Sequence, residues 1–332
     1  MPQLAIVGAG ATGTRVARHV SRSNPEFDIT LIDDGEGVAT TAAAGLDSTV
    51  RAAFGTQIPM DSDIVVIATR AETHAEIAKQ SVGLARVIIS VADSVADIRA
   101  LLDMEAEARD KDSTIVVGAG MMPGLSDVLV AHGSTWFDSV REIHVAKFGT
   151  GGPDCARQHH RALKSMCLDW RDDHWRRRPG GSGRELAWFP APVEAADCYR
   201  AALGDPLLLV RANPSVERIT ARMAATRRDR LTMNFPMLRK PHAEGLLGAV
   251  RAELRGLAGG QQLEVVLGSA ERPAVVAGVV AAATVSAATE QSESWPVGVF
   301  GLAELVESTQ FLHSLRRRGI RPEIFVGADE TY

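Results

Sequence analysis

The chain has 332 residues, 45% of them hydrophobic and 23% charged, with a formal net charge of −5. That length suits about two domains of roughly 100–200 residues each, and the composition can bury a sizeable core. The mild acidity gives no electrostatic footing for nucleic acid or an anionic membrane surface. No uninterrupted apolar run reaches the roughly 18 residues of a membrane span; the longest apolar stretch, 273–288, is mostly Ala and Val. A strand is expected almost at once, at Gln3–Val7, which leaves no room for a signal peptide. Cys155, Cys167 and Cys198 make an odd count, which argues against a disulfide framework and for a reducing compartment. The expectation is a soluble, cytoplasmic protein.

Up to residue 118, short apolar runs alternate with helical patterns. Strands are expected at Gln3–Val7, 28–32, 63–68, 87–91 and Thr114–Val117, and 95–111 is the clearest amphipathic helix. Such alternation is what a parallel sheet covered on both faces requires. After Gly133 the pattern changes. A strand is expected at 142–147, a short helix at 155–166, strands at 168–170, 174–177 and 216–226, and a hairpin joining 250–255 to 262–267 through Gly259 and Gly260. From 273 the pattern is helical again. The expected fold class is α/β: a doubly wound Rossmann sheet with an inserted α+β domain whose sheet is antiparallel. The domains are placed at 1–133, 134–270 and 271–332, the last packing back onto the first. A broad apolar face on the second sheet would make a homodimer reasonable.

Residues 3–15 read QLAIVGAGATGTR. Gly8, Gly10 and Gly13 form G-x-G-x-x-G after a strand and at the head of a helix. Gly8 permits the tight turn, Gly10 lets a pyrophosphate approach the backbone, and Gly13 lets helix and strand pack closely. Ala11 and Thr12 complete the loop. Asp33, at the end of ITLIDD, stands where a carboxylate accepts hydrogen bonds from the adenosine ribose and repels a 2′-phosphate. No arginine follows within the next ten residues, so NAD is expected in preference to NADP. The other reading of Asp33 and Asp34 is a pair of ordinary turn residues.

A second loop, TIVVGAGMMPGLSDVL at 114–129, leaves a strand through Gly118, Gly120, Met121, Met122, Pro123 and Gly124, then enters a helix near Ser126. It lies at the carboxyl end of its strand, on the side where ligands of open α/β sheets bind. A plain strand-to-helix corner would read the same locally.

GAGMMPGLSDVL resembles the G-x-G-x-x-P-G-[LI]-[ST]-[ND] segment of saccharopine dehydrogenase-like proteins, and GAGATG resembles their first loop. The resemblance continues in FGTGGP at 148–153, WRDDHW at 170–175, WFPAPV at 188–193, the hairpin at 250–267 and the helix at 273–288. It covers nearly the whole chain. It implies a Rossmann domain with an inserted α+β domain, and catalysis in the cleft between them. Members of that family reduce imines formed from an amino group and a keto or aldehyde acid, or run the reverse oxidation. The resemblance therefore implies redox chemistry at a C–N centre of an amino acid or amine.

Hydride transfer to an iminium asks the protein for orientation, a proton donor or acceptor, and a cation for the substrate carboxylate. The segment GTGGPDCARQHHRALK supplies His159 and His160 for proton transfer and Arg161 as a bidentate carboxylate anchor. Adjacent helix positions point about 100° apart, so the two histidines cannot both face a cleft, and a pair of exposed helix histidines is the plainer reading. Lys147, at a strand end, is a further candidate for proton relay. Met122 stands with Arg161 as a substrate contact. Thr69 and Arg70, after the strand VVIA, stand with Gly120, Met121 and Pro123 as cofactor contacts. Cys155 and His159 are spaced i, i+4 as metal ligands can be, but no third ligand follows at matching spacing, and no metal is expected. Cys167 and Cys198 read as buried fillers. Three readings of function remain: C–N redox chemistry with NAD(P) and a small carboxylate- or amine-bearing substrate, reduction of a ketone or enoyl bond on the same scaffold, or dinucleotide binding without catalysis.

Overall fold

The computed structural model describes residues 1–237, 240–291 and 294–324. The described chain divides into two compact units: residues 1–124 with 274–307, and residues 125–273 with 308–324.

Unit 1 begins β1 (Gln3–Val7), α1 (Gly13–Ser23), β2 (Asp28–Asp33), α2 (Val38–Ala43), β3 (Val50–Phe54) and β4 (Ile64–Ile67). It continues with α3 (His74–Ser81), β5 (Val87–Ser90), α4 (Val95–Leu102), α5 (Glu105–Asp110) and β6 (Thr114–Val117). β4, β5 and β6 are buried at every position, and β1 at every position but its first. Strands wetted by neither face are what a sheet covered by helices on both sides needs. Two breaks in the expected pattern have local causes. The amphipathic run at 95–111 forms two helices, because the backbone turns at Asp103 and Met104. β3 was not expected, and its VRAAF sequence, largely exposed, carries no buried apolar run.

Unit 2 takes up α6 (Leu125–Ser134), β7 (Ser139–Phe148), α7 (Pro153–Lys164), β8 (Met166–Arg171), β9 (His174–Pro179), β10 (Glu185–Phe189) and β11 (Glu194–Arg200). Then come α8 (Asp205–Ala212), β12 (Arg218–Ala224), α9 (Arg227–Thr232), β13 (Ala249–Ala258) and β14 (Gln261–Ala270). The chain returns to unit 1 through α10 (Pro273–Glu290), β15 (Gly298–Gly301) and α11 (Leu302–Leu305), and ends in unit 2 with α12 (Ser308–Arg317) and β16 (Glu323–Ile324).

The seven strands of unit 1 run in the order β15-β6-β5-β4-β1-β2-β3, all parallel. The order reverses between β1 and β4, and at such a switch point the carboxyl ends of the strands open a crevice. β15 adds a seventh parallel strand outside β6; the sequence expectation had placed this stretch in a purely helical tail. α10 is long and apolar enough to cross a membrane by composition, yet it is mostly buried. Gly278 lets it lie against α1, since a Cβ there would stand 2.5 Å from Arg15 Cβ.

The second sheet has nine strands and is mixed. Its pairs are antiparallel except for β12 beside β7, which run parallel, so the fully antiparallel sheet expected from sequence is corrected at that one pairing. The crossover from β7 to β12 passes through four strands and two helices, which no short-range pattern could have revealed. Gly259 and Gly260 turn the β13–β14 hairpin with φ +57° and +77°, the left-handed region that a two-residue turn demands.

The domain limits also shift. α6 belongs to unit 2 rather than to a first domain ending at 133. The expected tail at 271–332 is divided: α10 to α11 lie in unit 1, while α12 packs on α6 within unit 2. Residues 292–293 and 325–332 of that tail lie outside the described residues.

One face of the second sheet, carrying Ile143, Val145, Ile219, Ala221, Ala252 and Leu254, is covered by α6 and α8. Leu254 and Leu267 close on Gly133 of α6, where a Cβ would stand 2.8 Å from Leu267 Cδ1. The opposite face is not the broad apolar surface expected from sequence. Phe148, Phe189, Ala146 and Ala249 cluster at one end of it. Toward the other end stand His144, Glu185, Arg222, Arg251 and Glu253. Arg222 Nε pairs with Glu185 at 2.7 Å, and Glu253 pairs with Arg251 and also with Arg255, the latter at 2.6 Å.

Candidate functional sites in the two units

In unit 1 two glycines of the loop between β1 and α1 are fixed by close approach of backbone. Gly8 has φ +102°, and a Cβ on it would stand 2.5 Å from the Ala68 carbonyl oxygen. At Gly13 a Cβ would lie 1.8 Å from the Gly8 carbonyl oxygen. Neither position has room for a side chain. Gly10 is the opposite case, because a Cβ there meets nothing within 4 Å. Steric closure explains two of the glycines, and an open approach to the backbone remains for the third. Ala11 and Thr12, both half-buried, lead into α1, and the Ala11 carbonyl accepts a hydrogen bond from Arg15 at 2.6 Å.

Asp33, at the end of β2, is tied to this loop. Its Oδ2 accepts the Ala9 N–H at 2.7 Å and its Oδ1 the Gly35 N–H at 2.8 Å. One carboxylate oxygen thus ties down the glycine loop and the other the turn after β2, and each oxygen has a second lone pair.

Past the end of β4, Thr69 is half-buried and Arg70 exposed. Beneath them lies a polar network that the sequence reading missed. His74 is buried, with Nδ1 2.9 Å from Ser90 Oγ and Nε2 3.3 Å from the Thr69 carbonyl. Asp97 accepts from Ser94 Oγ at 2.6 Å, the Glu72 N–H at 2.7 Å and the His74 N–H at 3.3 Å. Burial pushes the His74 imidazole below its ordinary value, with Asp97 pulling the other way. A neutral ring that donates from Nε2 to Thr69 and accepts at Nδ1 satisfies both contacts. One histidine in ETHAEI has no spacing signature that would have marked it.

The second glycine loop folds back on itself. Gly120 N–H donates to the Pro123 carbonyl at 3.1 Å, and at Gly124, with φ +128°, a Cβ would lie 2.2 Å from the Gly120 carbonyl oxygen. Gly120, Met121, Met122 and Pro123 are all buried.

In unit 2 the turn FGTGG reverses the chain from β7 to α7. Gly149 has φ +82°, and a Cβ there would stand 2.9 Å from Gly248 Cα. Pro153 occupies the first turn of α7, where its missing N–H costs nothing. The reversal lays Lys147, on the central strand β7, against His159. Lys147 Nζ and His159 Nε2 are 2.6 Å apart, and both side chains are buried, at 5% and 4% exposure. Lys147 shares its sheet face with Ile143 and Val145, so an amine sits where the strand alternation calls for an apolar side chain. Cys155, one helical turn before His159, places Sγ 3.5 Å from the same Nε2 and accepts the Gly151 N–H at 3.4 Å.

Of the residues expected in a catalytic role, the structure brings Lys147 and His159 together and sends His160 elsewhere. His160 Nε2 lies 2.9 Å from the Phe235 carbonyl. Arg161 is exposed and donates to Gln158 at 3.1 Å. Unit 2 also holds a buried polar pair without a sequence signal: Ser126 at the head of α6 donates to Asp205 of α8 at 2.8 Å. Cys167 and Cys198 are buried, and burial pushes their thiols up to about 11 and about 12.

No protein-family model and no curated protein sequence matches the chain. Solved structures do. The apo histidine-tagged saccharopine dehydrogenase (L-Glu forming) of Saccharomyces cerevisiae superposes with a TM-score of 0.71 at 10% identity, over 98% of this chain and 100% of that one. The DAP dehydrogenase of C. glutamicum in complex with DAP gives 0.53 at 15% identity, over 96% and 99%. An engineered D-amino acid dehydrogenase bound to NADP+ gives 0.53 at 14% identity, over 96% and 99%. At these identities the likeness is one of fold.

Proposed function

We propose that this chain is an NAD(P)-dependent oxidoreductase acting on the C–N bond of an amino acid or amine. The observation that carries the reading is the open position at Gly10, set between two glycines that backbone closes completely. The equally open turn glycines Gly259 and Gly260 have positive φ, whereas Gly10 needs glycine neither for its φ nor for room, and a pyrophosphate approaching the backbone supplies the reason. Gly8, Gly10, Ala11, Thr12 and Gly13 would hold the pyrophosphate at the head of α1, and Asp33 would take the adenosine ribose, which favours NAD over NADP. Thr69 and Arg70, at the switch point, and the buried loop Gly120, Met121 and Pro123 are proposed to complete the cofactor's surroundings.

When bound, the nicotinamide supplies or accepts the hydride, so the protein's share is orientation and proton handling. A C–N centre gains or loses a proton at nitrogen as the hydride moves. Lys147 and His159 form a buried amine–imidazole pair, and one proton shared along their hydrogen bond suits that exchange. The solved structures of the same fold with a TM-score above 0.5 include saccharopine, DAP and D-amino acid dehydrogenases by name, which favours an amino acid or amine over a ketone or enoyl substrate.

Titration calorimetry with NADH and NADPH tests the cofactor, and NADH oxidation over a panel of keto acids with and without ammonium or amines tests the bond. Tighter binding of NADH and turnover that needs the amine are the expected results. Preference for NADPH by tenfold or more overturns the role of Asp33, and amine-independent ketone reduction overturns the C–N assignment.

A further inference from the structure

Nothing in hydride transfer at a C–N centre uses a thiol, yet one sits beside the Lys147–His159 pair. Cys155 is the third residue of α7, a helix of 12 residues, and therefore stands at the helix's positive end. Its Sγ accepts the Gly151 N–H at 3.4 Å and lies 3.5 Å from His159 Nε2. Lys147 Nζ is 2.6 Å from that same nitrogen. A backbone donor at the sulfur, a helix N-terminus and an imidazole nitrogen within reach of its proton are surroundings that suit a nucleophilic thiol. The side chain is half-exposed and so within reach of solutes. The other two cysteines make the contrast: Cys167 and Cys198 are buried, with thiols pushed up to about 11 and about 12, and are inert fillers.

We propose that Cys155 is a nucleophilic thiol, a modification site for hydroperoxides, and that its oxidation stops proton exchange between Lys147 and His159. The Cys155 proton passes to His159 Nε2. The sulfur then attacks one oxygen of the hydroperoxide: an S–O bond forms, the O–O bond breaks, and the departing oxygen takes the proton back from His159 and leaves as water or an alcohol. Sulfur is oxidised to the sulfenic acid and the peroxide is reduced, a step that thiols of the cell can reverse. The added oxygen, held to one side of the line from Sγ to Nε2, comes within hydrogen-bond reach of that nitrogen and competes with Lys147 for it. The second half of the proposal rests on Lys147 and His159 handling the proton; the first half does not.

The test uses the full chain, with iodoacetamide as probe and peptide mass spectrometry as readout. At pH 7 Cys155 should label at least about tenfold faster than the same thiol in a peptide of residues 150–160. Cys167 and Cys198 should label only after denaturation. Both His159→Gln and Lys147→Gln should bring the rate down toward that of the peptide, and either variant suffices if the other fails to fold. A rate equal to the peptide's, or unchanged in the folded variants, overturns the nucleophilic thiol. Hydrogen peroxide should then abolish turnover in the wild type and spare Cys155→Ser. Turnover that survives full oxidation of Cys155 overturns the switch. A wild type that turns over no amine substrate at all overturns the proposed function instead, and leaves the labelling result standing.

Discussion

The glycine loop of unit 1 and the Lys147–His159 pair of unit 2 are built by opposite means. The loop is made of absences: two positions where a side chain collides with backbone, and one where it would meet open space. The pair is made of two polar side chains placed among apolar ones, by a strand alternation and a helix turn that elsewhere deliver Ile, Val, Ala and Leu. A site of the first kind is fixed by local chain geometry, and its chemistry is generic. A site of the second kind depends on register across a sheet and on the reversal at FGTGG, and its chemistry is particular to this chain.

The largest expected effect lies in the pair. Removing a positioned acid–base group typically costs about 10²–10⁴-fold in rate. Lys147→Ala and His159→Ala should each lower kcat at least about 100-fold while leaving dinucleotide affinity intact, and the double variant should lose little more than either single one, since the two act as a unit. Additive losses would mean that they serve separate steps and would break the reading of one proton-handling pair.

Two glycines test the other region. Gly13→Val drives a branched side chain into the Gly8 carbonyl and should destabilise the chain by about 1–3 kcal/mol or more, read as a lower midpoint in urea. Gly10→Val has room for its side chain, so the midpoint should hold while calorimetric dinucleotide binding is lost. Should Gly10→Val bind normally, the opening at Gly10 is not where the pyrophosphate approaches.

The same contrast explains what the sequence could reveal. Gly8, Gly10, Gly13 and Asp33 announce themselves because backbone conformation and a fixed spacing constrain residue type directly, and β1, β2, β4, β5 and β6 are short apolar runs of the expected length. β3 escapes because VRAAF is mostly exposed and has no continuous apolar run, and β15 because GVFG holds only two apolar residues between glycines. The parallel pairing of β12 with β7 escapes because it joins residues 76 apart in sequence, such as Thr220 and His144, whose side chains share a hydrogen bond. Near FGTGG the sequence supplied His159, His160, Arg161 and Lys147 as candidates. Choosing among them needed the helix phase and the turn: the turn brings Lys147 to His159, and the phase leaves the other two outside. The His74–Ser90–Asp97 network was illegible, because its members come from three separate elements.

That network gives a smaller effect, dependent on pH. His74 is held below its ordinary value by burial, so the folded chain binds fewer protons than the unfolded one once pH falls below about 6.5. The stability it contributes is fully present above that pH and is lost as the pH drops toward the lowered folded value, with a slope of up to about 1.4 kcal/mol per pH unit. His74→Gln, which keeps a donor and an acceptor but cannot charge, should flatten this slope between pH 5.5 and 6.5 in urea denaturation series. An unchanged slope would assign the acid sensitivity to other groups.

The smallest effects belong to the two residues of α7 that the helix phase leaves outside. Successive positions differ by about 100°, so once His159 faces Lys147, His160 must leave that side. It reaches the Phe235 carbonyl at 2.9 Å, a bond to backbone in a segment whose neighbours are exposed. His160→Ala removes that one bond, so a loss of about 0.5–1.5 kcal/mol in stability is the upper range, with kcat within about threefold of wild type. Arg161→Ala removes one part-buried hydrogen bond to Gln158 and should cost about 0.5–1.5 kcal/mol or less in stability. Steady-state kinetics on a carboxylate substrate is the sharper measurement for Arg161. A KM near wild type means that the substrate's anion is held elsewhere. A KM raised tenfold or more at constant kcat means that Arg161 swings from Gln158 to the substrate on binding, and the second region then recruits a side chain that its resting geometry holds apart.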